Sequence, residues 1–156
     1  MQNSELRDEI TYLKSQSMRN NLLFGGIKEP ENERPQDVEA KVRSFIIDKL
    51  QLAQDLVNSM VIERAHRIGA KNSDQNQNRS RMIVCKFANF KDRESIRKQG
   101  HLLKDTNFSI REQFPPEIVE RRRKLFPQLK AARDAGKRAW LAYDTLYVDG
   151  KPMQKK

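Results

Sequence analysis

The sequence predicts an α+β sandwich of four antiparallel strands with two helices on one face. A short amphipathic helix precedes it and a small α+β segment follows. Three observations predict this. Residues Arg81 to Ala88 alternate, with Ile83, Cys85 and Phe87 on one strand face and Met82, Val84 and Lys86 on the other. Val38, Val42, Phe45, Ile46 and Leu50 recur at the helical period and make one apolar stripe. Such segments follow one another between residues 21 and 114 in the order βαββαβ.

The elements follow in order. Leu6, Ile10 and Leu13 form a narrow seam flanked by Glu5, Arg7, Asp8, Glu9 and Lys14, so residues 1–20 read as the C-terminal end of a coiled coil. Asn21 to Ile27 is a short apolar run ending at Gly25-Gly26, a buried first strand. Pro30 and Pro35 mark a loop, after which Asp37 is expected to cap the first sandwich helix. Met60 to Gly69 is expected as the second strand, residues 70–80 as a mobile polar loop, and Arg81 to Ala88 as the third strand. Phe90 to Leu103 predicts the second helix, and Phe108 to Phe114 the fourth strand. Two βαβ-type units in this order make a ferredoxin-like sandwich, whose free sheet face is the one RNA-recognition motifs use.

Pro115-Pro116 sets up a further helix, with an apolar stripe of Ile118, Leu125, Phe126, Leu129 and Ala132. Pro127 should kink it and Gly136 should end it. Trp140 to Tyr143 and Leu146 to Val148 read as short strands, and Asp149-Gly150 as a tight turn. The domains are therefore 1–20, the coil end; 21–114, the sandwich; and 115–156, a small C-terminal nucleic-acid-binding domain.

The charge pattern points to an anionic partner. The chain has 156 residues, 33% of them charged, a mean hydropathy of -0.88 and a net charge of +10. Residues 1–60 hold 8 Lys and Arg against 10 Asp and Glu, a net of -2, whereas residues 61–156 hold 23 against 11, a net of +12. A single cysteine, Cys85, excludes an internal disulfide and suits a reducing compartment. No run approaches the ~18 apolar residues of a membrane span, and the N-terminus has no apolar signal core.

Catalysis finds no support in the sequence. The two histidines, His66 and His101, fall on different elements, and no nucleophile elbow, phosphate-binding glycine loop or metal-ligand spacing occurs. Gly25-Gly26 is too short for a dinucleotide loop and reads as a strand end that needs no Cβ. His66 suits either a phosphate or base contact or a packed strand position. No enzyme, metal or cofactor is expected. Nucleic acid is the better partner, because cations recur on successive elements: Arg64, Arg67, Arg79, Arg81, Lys86, Arg97, Lys98 and Arg111. The run Arg121 to Lys124, then Lys137 and Arg138, continues the series. Each phosphate neutralised on a single strand steepens the salt dependence of binding by about 0.7 log units. The sheet lacks the usual aromatic signature, since its surface positions offer Leu23, Met82, Val84 and Lys86. Backbone contacts should then dominate over sequence reading. Tyr143 and Trp140 can supply stacking, with core packing the expected job of Trp140.

Met18 to Ile27, Glu63-Arg64-Ala65-His66-Arg67, Ile83 to Phe87, Ile96 to Gly100, Glu120-Arg121-Arg122 and Tyr143 together resemble the first-open-reading-frame protein of LINE-type (L1-like) retrotransposons. The likeness covers most of the chain in the same order. It implies a homotrimeric coiled coil through Leu6, Ile10 and Leu13, binding of single-stranded RNA and DNA with low sequence specificity, and nucleic-acid chaperone activity. It also implies a ribonucleoprotein coat, in the cytoplasm with the nucleus as a second compartment. By position, Asn21 matches a strand-one Asn that contacts RNA, Arg122 the second Arg of the C-terminal pair, and Tyr143 the Tyr that follows that helix. Leu23 departs from the pattern, standing where mammalian relatives carry Arg. The basic loop before the third strand is thinner, with Arg79 and Arg81 only. The cations on both parts suggest a strand held in a cleft between the sandwich and the C-terminal segment. The alternative is a protein-interaction or scaffold module, domesticated from a retrotransposon, without strong nucleic-acid binding.

Overall fold

The computed structural model describes residues 2–70 and 80–153. Among the described residues, five α-helices and seven strands build an α+β protein with two antiparallel sheets. The helices are α1 (Gln2–Ser17), α2 (Pro35–Asp48), α3 (Gln54–Ser59), α4 (Phe90–Lys98) and α5 (Pro116–Asp134). The strands are β1 (Asn21–Gly25), β2 (Ile62–Arg67), β3 (Ile83–Phe87), β4 (Ser109–Glu112), β5 (Ala139–Ala142), β6 (Thr145–Val148) and β7 (Lys151–Pro152). The chain divides into two compact units: Ser17–Gln113, and the residues up to Gln16 together with those from Phe114 onward. The N-terminal helix thus groups with the C-terminal segment instead of standing apart.

In the first unit the sheet order is β2-β3-β1-β4, with every neighbour antiparallel. Leu22 and Phe24 of β1 and Ile83, Cys85 and Phe87 of β3 are fully buried. They pack on Val38, Val42, Phe45 and Ile46 of α2 and Ile96 of α4, so both helices cover the same sheet face. Phe24, Phe45 and Phe108 meet edge to face, with centroids 5.8 and 5.3 Å apart. Burial in this core pushes the Cys85 thiol up to about 12. Gly26 holds φ +92°, and a Cβ there would strike the Asn107 carbonyl, which is why the first strand ends at glycine.

Several boundaries differ from the expectation. Asp37 is not the N-cap of α2; the helix starts at Pro35, and the Asp37 carboxylate accepts the backbone N–H of Arg34 from the third turn position. α3 was not foreseen. α4 ends at Lys98 and passes into a 3-10 turn, Gln99–Leu103. Asn89 caps α4, its side chain accepting from the Lys91 N–H at 2.8 Å.

A bulge in β2 decides which residues face which side. Ile62 pairs with Phe87, yet Arg64 pairs with Lys86 and Ala65 with Cys85, so Glu63 is the extra residue. The shift turns Ala65 to the core, Arg64 and His66 to the open face, and Arg67 back to the helix side.

In the second unit α5 continues through Pro127 to Asp134. Strands β5, β6 and β7 form a three-stranded sheet in that order. Asp149 and Gly150 hold φ +52° and +84°, the two left-handed positions of a type I′ hairpin turn. Ala139 and Leu146 are buried, and β5 and β6 pack on α5. Leu6, Ile10 and Leu13 of α1 are 55%, 51% and 61% exposed.

Candidate nucleic-acid interface

Residues paired across an antiparallel ladder share a sheet face. On the open face of the first unit, Arg64, Lys86 and Asn21 therefore form one row, and His66, Val84, Leu23 and Arg111 a second. Arg64, His66 and Arg111 are exposed, and none of them has a carboxylate partner among the described residues. Lys86 lies 3.5 Å from Glu63, a half-exposed pair whose worth of about 0–1 kcal/mol a phosphate can match. The Arg111 guanidinium reaches the Met82 sulfur at 3.3 Å. His66 supplies the one ring of these rows, and no Phe, Tyr or Trp stands in them. The face is therefore better suited to neutralising phosphates than to stacking bases.

Asn21 is buried. Its side-chain amide donates to Gln113 Oε1 at 2.8 Å, while its Oδ1 has no partner among the described residues. Gln113 gave no sequence signal, because it lies 92 positions away.

Arg67 and Arg81, foreseen as nucleic-acid contacts, are engaged with carboxylates inside the unit. All five N–H groups of Arg67 are spent within the unit: on both Glu33 oxygens, at 2.8 and 2.9 Å, and on the carbonyls of Ile27, Lys28 and Arg81. Its side chain is 4% exposed and that of Glu33 5%. Lys41 pairs with the same Glu33. Hydrogen bonds from the Arg67 guanidinium first, then from Lys41, hold the Glu33 carboxyl down at about 2 against burial. Arg81 forks onto Glu29, at 2.6 Å for the shortest contact, and donates to the Gly69 carbonyl. Those bonds lower the Glu29 carboxyl as well. The two arginines tie the ends of the β2–β3 connection to the loop before α2. Arg79 lies outside the described residues.

Arg97 and Lys98 sit on α4, on the helix-covered side, so the first unit does not gather all its foreseen cations on one surface. Arg97 forks onto Glu94, which it and Arg93 together hold at about 2. Arg93, unremarked in the sequence, is buried and joins α4 to β4 through Glu112 at 3.0 Å.

In the second unit Arg121 pairs with Asp144 at 3.1 Å and with Asp8 at 3.5 Å. Arg122 donates to the Tyr143 carbonyl at 2.7 Å and lies 4.5 Å from the Phe114 ring centroid. Tyr143 occupies the left-handed region at φ +55°, a conformation that bulky residues adopt only when held. Three contacts hold it: the Arg122 bond, a ring contact with Phe114 at 6.0 Å, and a hydroxyl hydrogen bond of 2.6 Å shared with Ser15 of α1. Arg122 and Tyr143 therefore brace the β5–β6 turn between two helices. Lys124, Lys137 and Arg138 are exposed; Arg123 and, after it, Lys124 lower the Glu120 carboxyl, and no salt bridge holds Lys137 or Arg138 among the described residues. Trp140 does not pack in the core, being 37% exposed on the sheet face away from α5.

No protein-family model matches this chain, and none of the curated proteins matches it. No helix among the described residues is long and apolar enough to cross a membrane.

Proposed function

We propose that this protein binds single-stranded RNA and DNA through their phosphate backbone with low sequence specificity, as a nucleic-acid chaperone and ribonucleoprotein coat of a LINE-type retrotransposon. The observation that carries the reading is the open sheet face, where Arg64, Lys86 and Arg111 stand on three adjacent or near-adjacent strands with no Phe, Tyr or Trp in their rows. On this reading the strand order β2-β3-β1-β4 with two helices on one face is the ferredoxin-like, RNA-recognition-type sandwich. The exposed cations of the second unit, Lys124, Lys137 and Arg138, extend the phosphate-binding set. Leu6, Ile10 and Leu13, apolar and exposed on one chain, would be covered by the same seam of two further copies.

The test is filter binding of a labelled single strand of about 30 nucleotides across a salt series, with a duplex and unrelated sequences as competitors. The reading expects saturable binding, strong salt dependence and equal competition by unrelated single strands. Absence of binding at low salt overturns it. A second reading, a protein-docking module, draws on the groove lined by Ile27, Ala40 and Phe45 and edged by Lys28 and Lys49. That reading gains if single strands fail to bind.

A further inference from the structure

The Phe, Tyr or Trp missing from the open-face rows of the first sheet has its counterpart on the second. Trp140 of β5 pairs directly with Tyr147 of β6, and Tyr147 with Pro152 of β7, so the three form one row across the sheet. The Trp140 and Tyr147 rings lie 5.6 Å apart, centroid to centroid, and only 7° from parallel. That is the offset-stacked geometry in which a further ring can extend the series. Pro152 closes the row at β7. Trp140 stands at the other end, on the edge strand β5. The opposite face of this sheet carries Ala139 and Leu146, both buried. The row is therefore not the core of the unit. An exposed tryptophan stacked in parallel on a tyrosine is a platform without a third ring.

Its surroundings are cationic. Lys137 and Arg138 lead into β5, and Lys151 starts β7 beside Pro152. All three are exposed, and no carboxylate pairs with their side chains among the described residues. Asp149, two positions before Lys151, has its carboxylate turned to the Arg138 backbone N–H at 3.1 Å.

We propose that Trp140, Tyr147 and Pro152 form a base-stacking platform for an unpaired nucleobase, with Lys137, Arg138 and Lys151 holding the flanking phosphates. The proposal rests on the single-strand binding reading and gives it a second, different contact. Every base has a π-face, so a stacking platform adds affinity without sequence preference. It also separates single strands from duplexes, in which the face is already occupied by the neighbouring base pair.

Trp140 is the sole tryptophan of the chain, so its own fluorescence reports the contact. The experiment titrates the full chain with a labelled oligothymidylate of about 15 nucleotides, and separately with an abasic strand of the same length. Label anisotropy reports binding and tryptophan emission reports stacking. The expected result is saturable quenching by oligothymidylate with the same midpoint as the anisotropy, and little quenching by the abasic strand. Trp140→Leu keeps an apolar strand residue, and its fold is checked by circular dichroism. It should weaken oligothymidylate binding about tenfold and leave both the salt slope and abasic-strand binding unchanged. Binding without quenching, or equal affinity of Trp140→Leu, overturns the platform and leaves the backbone reading standing. Failure of both strands to bind overturns both readings.

Discussion

The two sheets of this protein expose different chemistry, and on the proposed single-strand reading they would meet different parts of the ligand. The four-stranded sheet exposes cations with no Phe, Tyr or Trp among them: Arg64, Lys86 and Arg111. The three-stranded sheet exposes a stacked ring pair, Trp140 and Tyr147, edged by cations. A surface of the first kind counts phosphates and ignores bases, whereas one of the second kind feels whether a base is free. The comparison also separates two uses of arginine within the first unit. Arg67 and Arg81 are turned inward onto glutamates, where they hold loops, and Arg64 and Arg111 are left for solvent.

The largest effect should come from the inward set. Arg67→Ala leaves Glu33 buried without its main partner, and it should destabilise the fold by about 3 kcal/mol or more. The checking measurement is the urea midpoint. An unchanged midpoint would erase the distinction between inward and outward arginines. Acid should expose the same network. Glu33 and Glu94 are both held at about 2 in the folded protein, below the ordinary 4.5, so the stability they contribute is present above 4.5. It is lost as pH falls from 4.5 through about 2, and the urea midpoint should drop across that window. Arg67→Ala should drop less steeply there.

Association through α1 comes next. Ile10→Lys places a charge in the exposed seam, and light scattering should show a trimer's mass falling to a monomer's with helix content largely kept. Equal masses would remove the coil from the account. The smallest effect belongs to Tyr143→Phe, which deletes one hydrogen bond to Ser15 and should cost about 1 kcal/mol in the second unit's stability.

How much of this was legible depended on the range of the cause. β3 and α2 were readable because Ile83, Cys85 and Phe87, or Val38, Val42, Phe45 and Ile46, signal burial by spacing alone. The Asp149-Gly150 turn was readable because two left-handed residues need that pair. α3 was missed because six residues, with Val57 buried, hold less than two turns of pattern. The roles of Arg67 and Arg81 were invisible because their partners lie 34 and 52 positions away. The outward face of Trp140 was misread for a local reason: Ala139-Trp140-Leu141-Ala142 is apolar throughout, so no alternation marks its two sides. The bulge at Glu63 did leave a trace, since Ile62 and Ala65 stand three apart in a strand of period two.

The claim that the four-stranded sheet grips single strands by their phosphates meets its most direct test in a salt series. Binding of a labelled single strand would be compared between the natural chain and an Arg64/Lys86/Arg111→Ala triple variant. All three side chains lie on the solvent face, so the variant should fold. Three lost phosphate contacts should reduce the salt slope by about 2 log units and weaken binding most at low salt. An unchanged slope and affinity in the folded variant would contradict the assignment of that sheet face to nucleic acid.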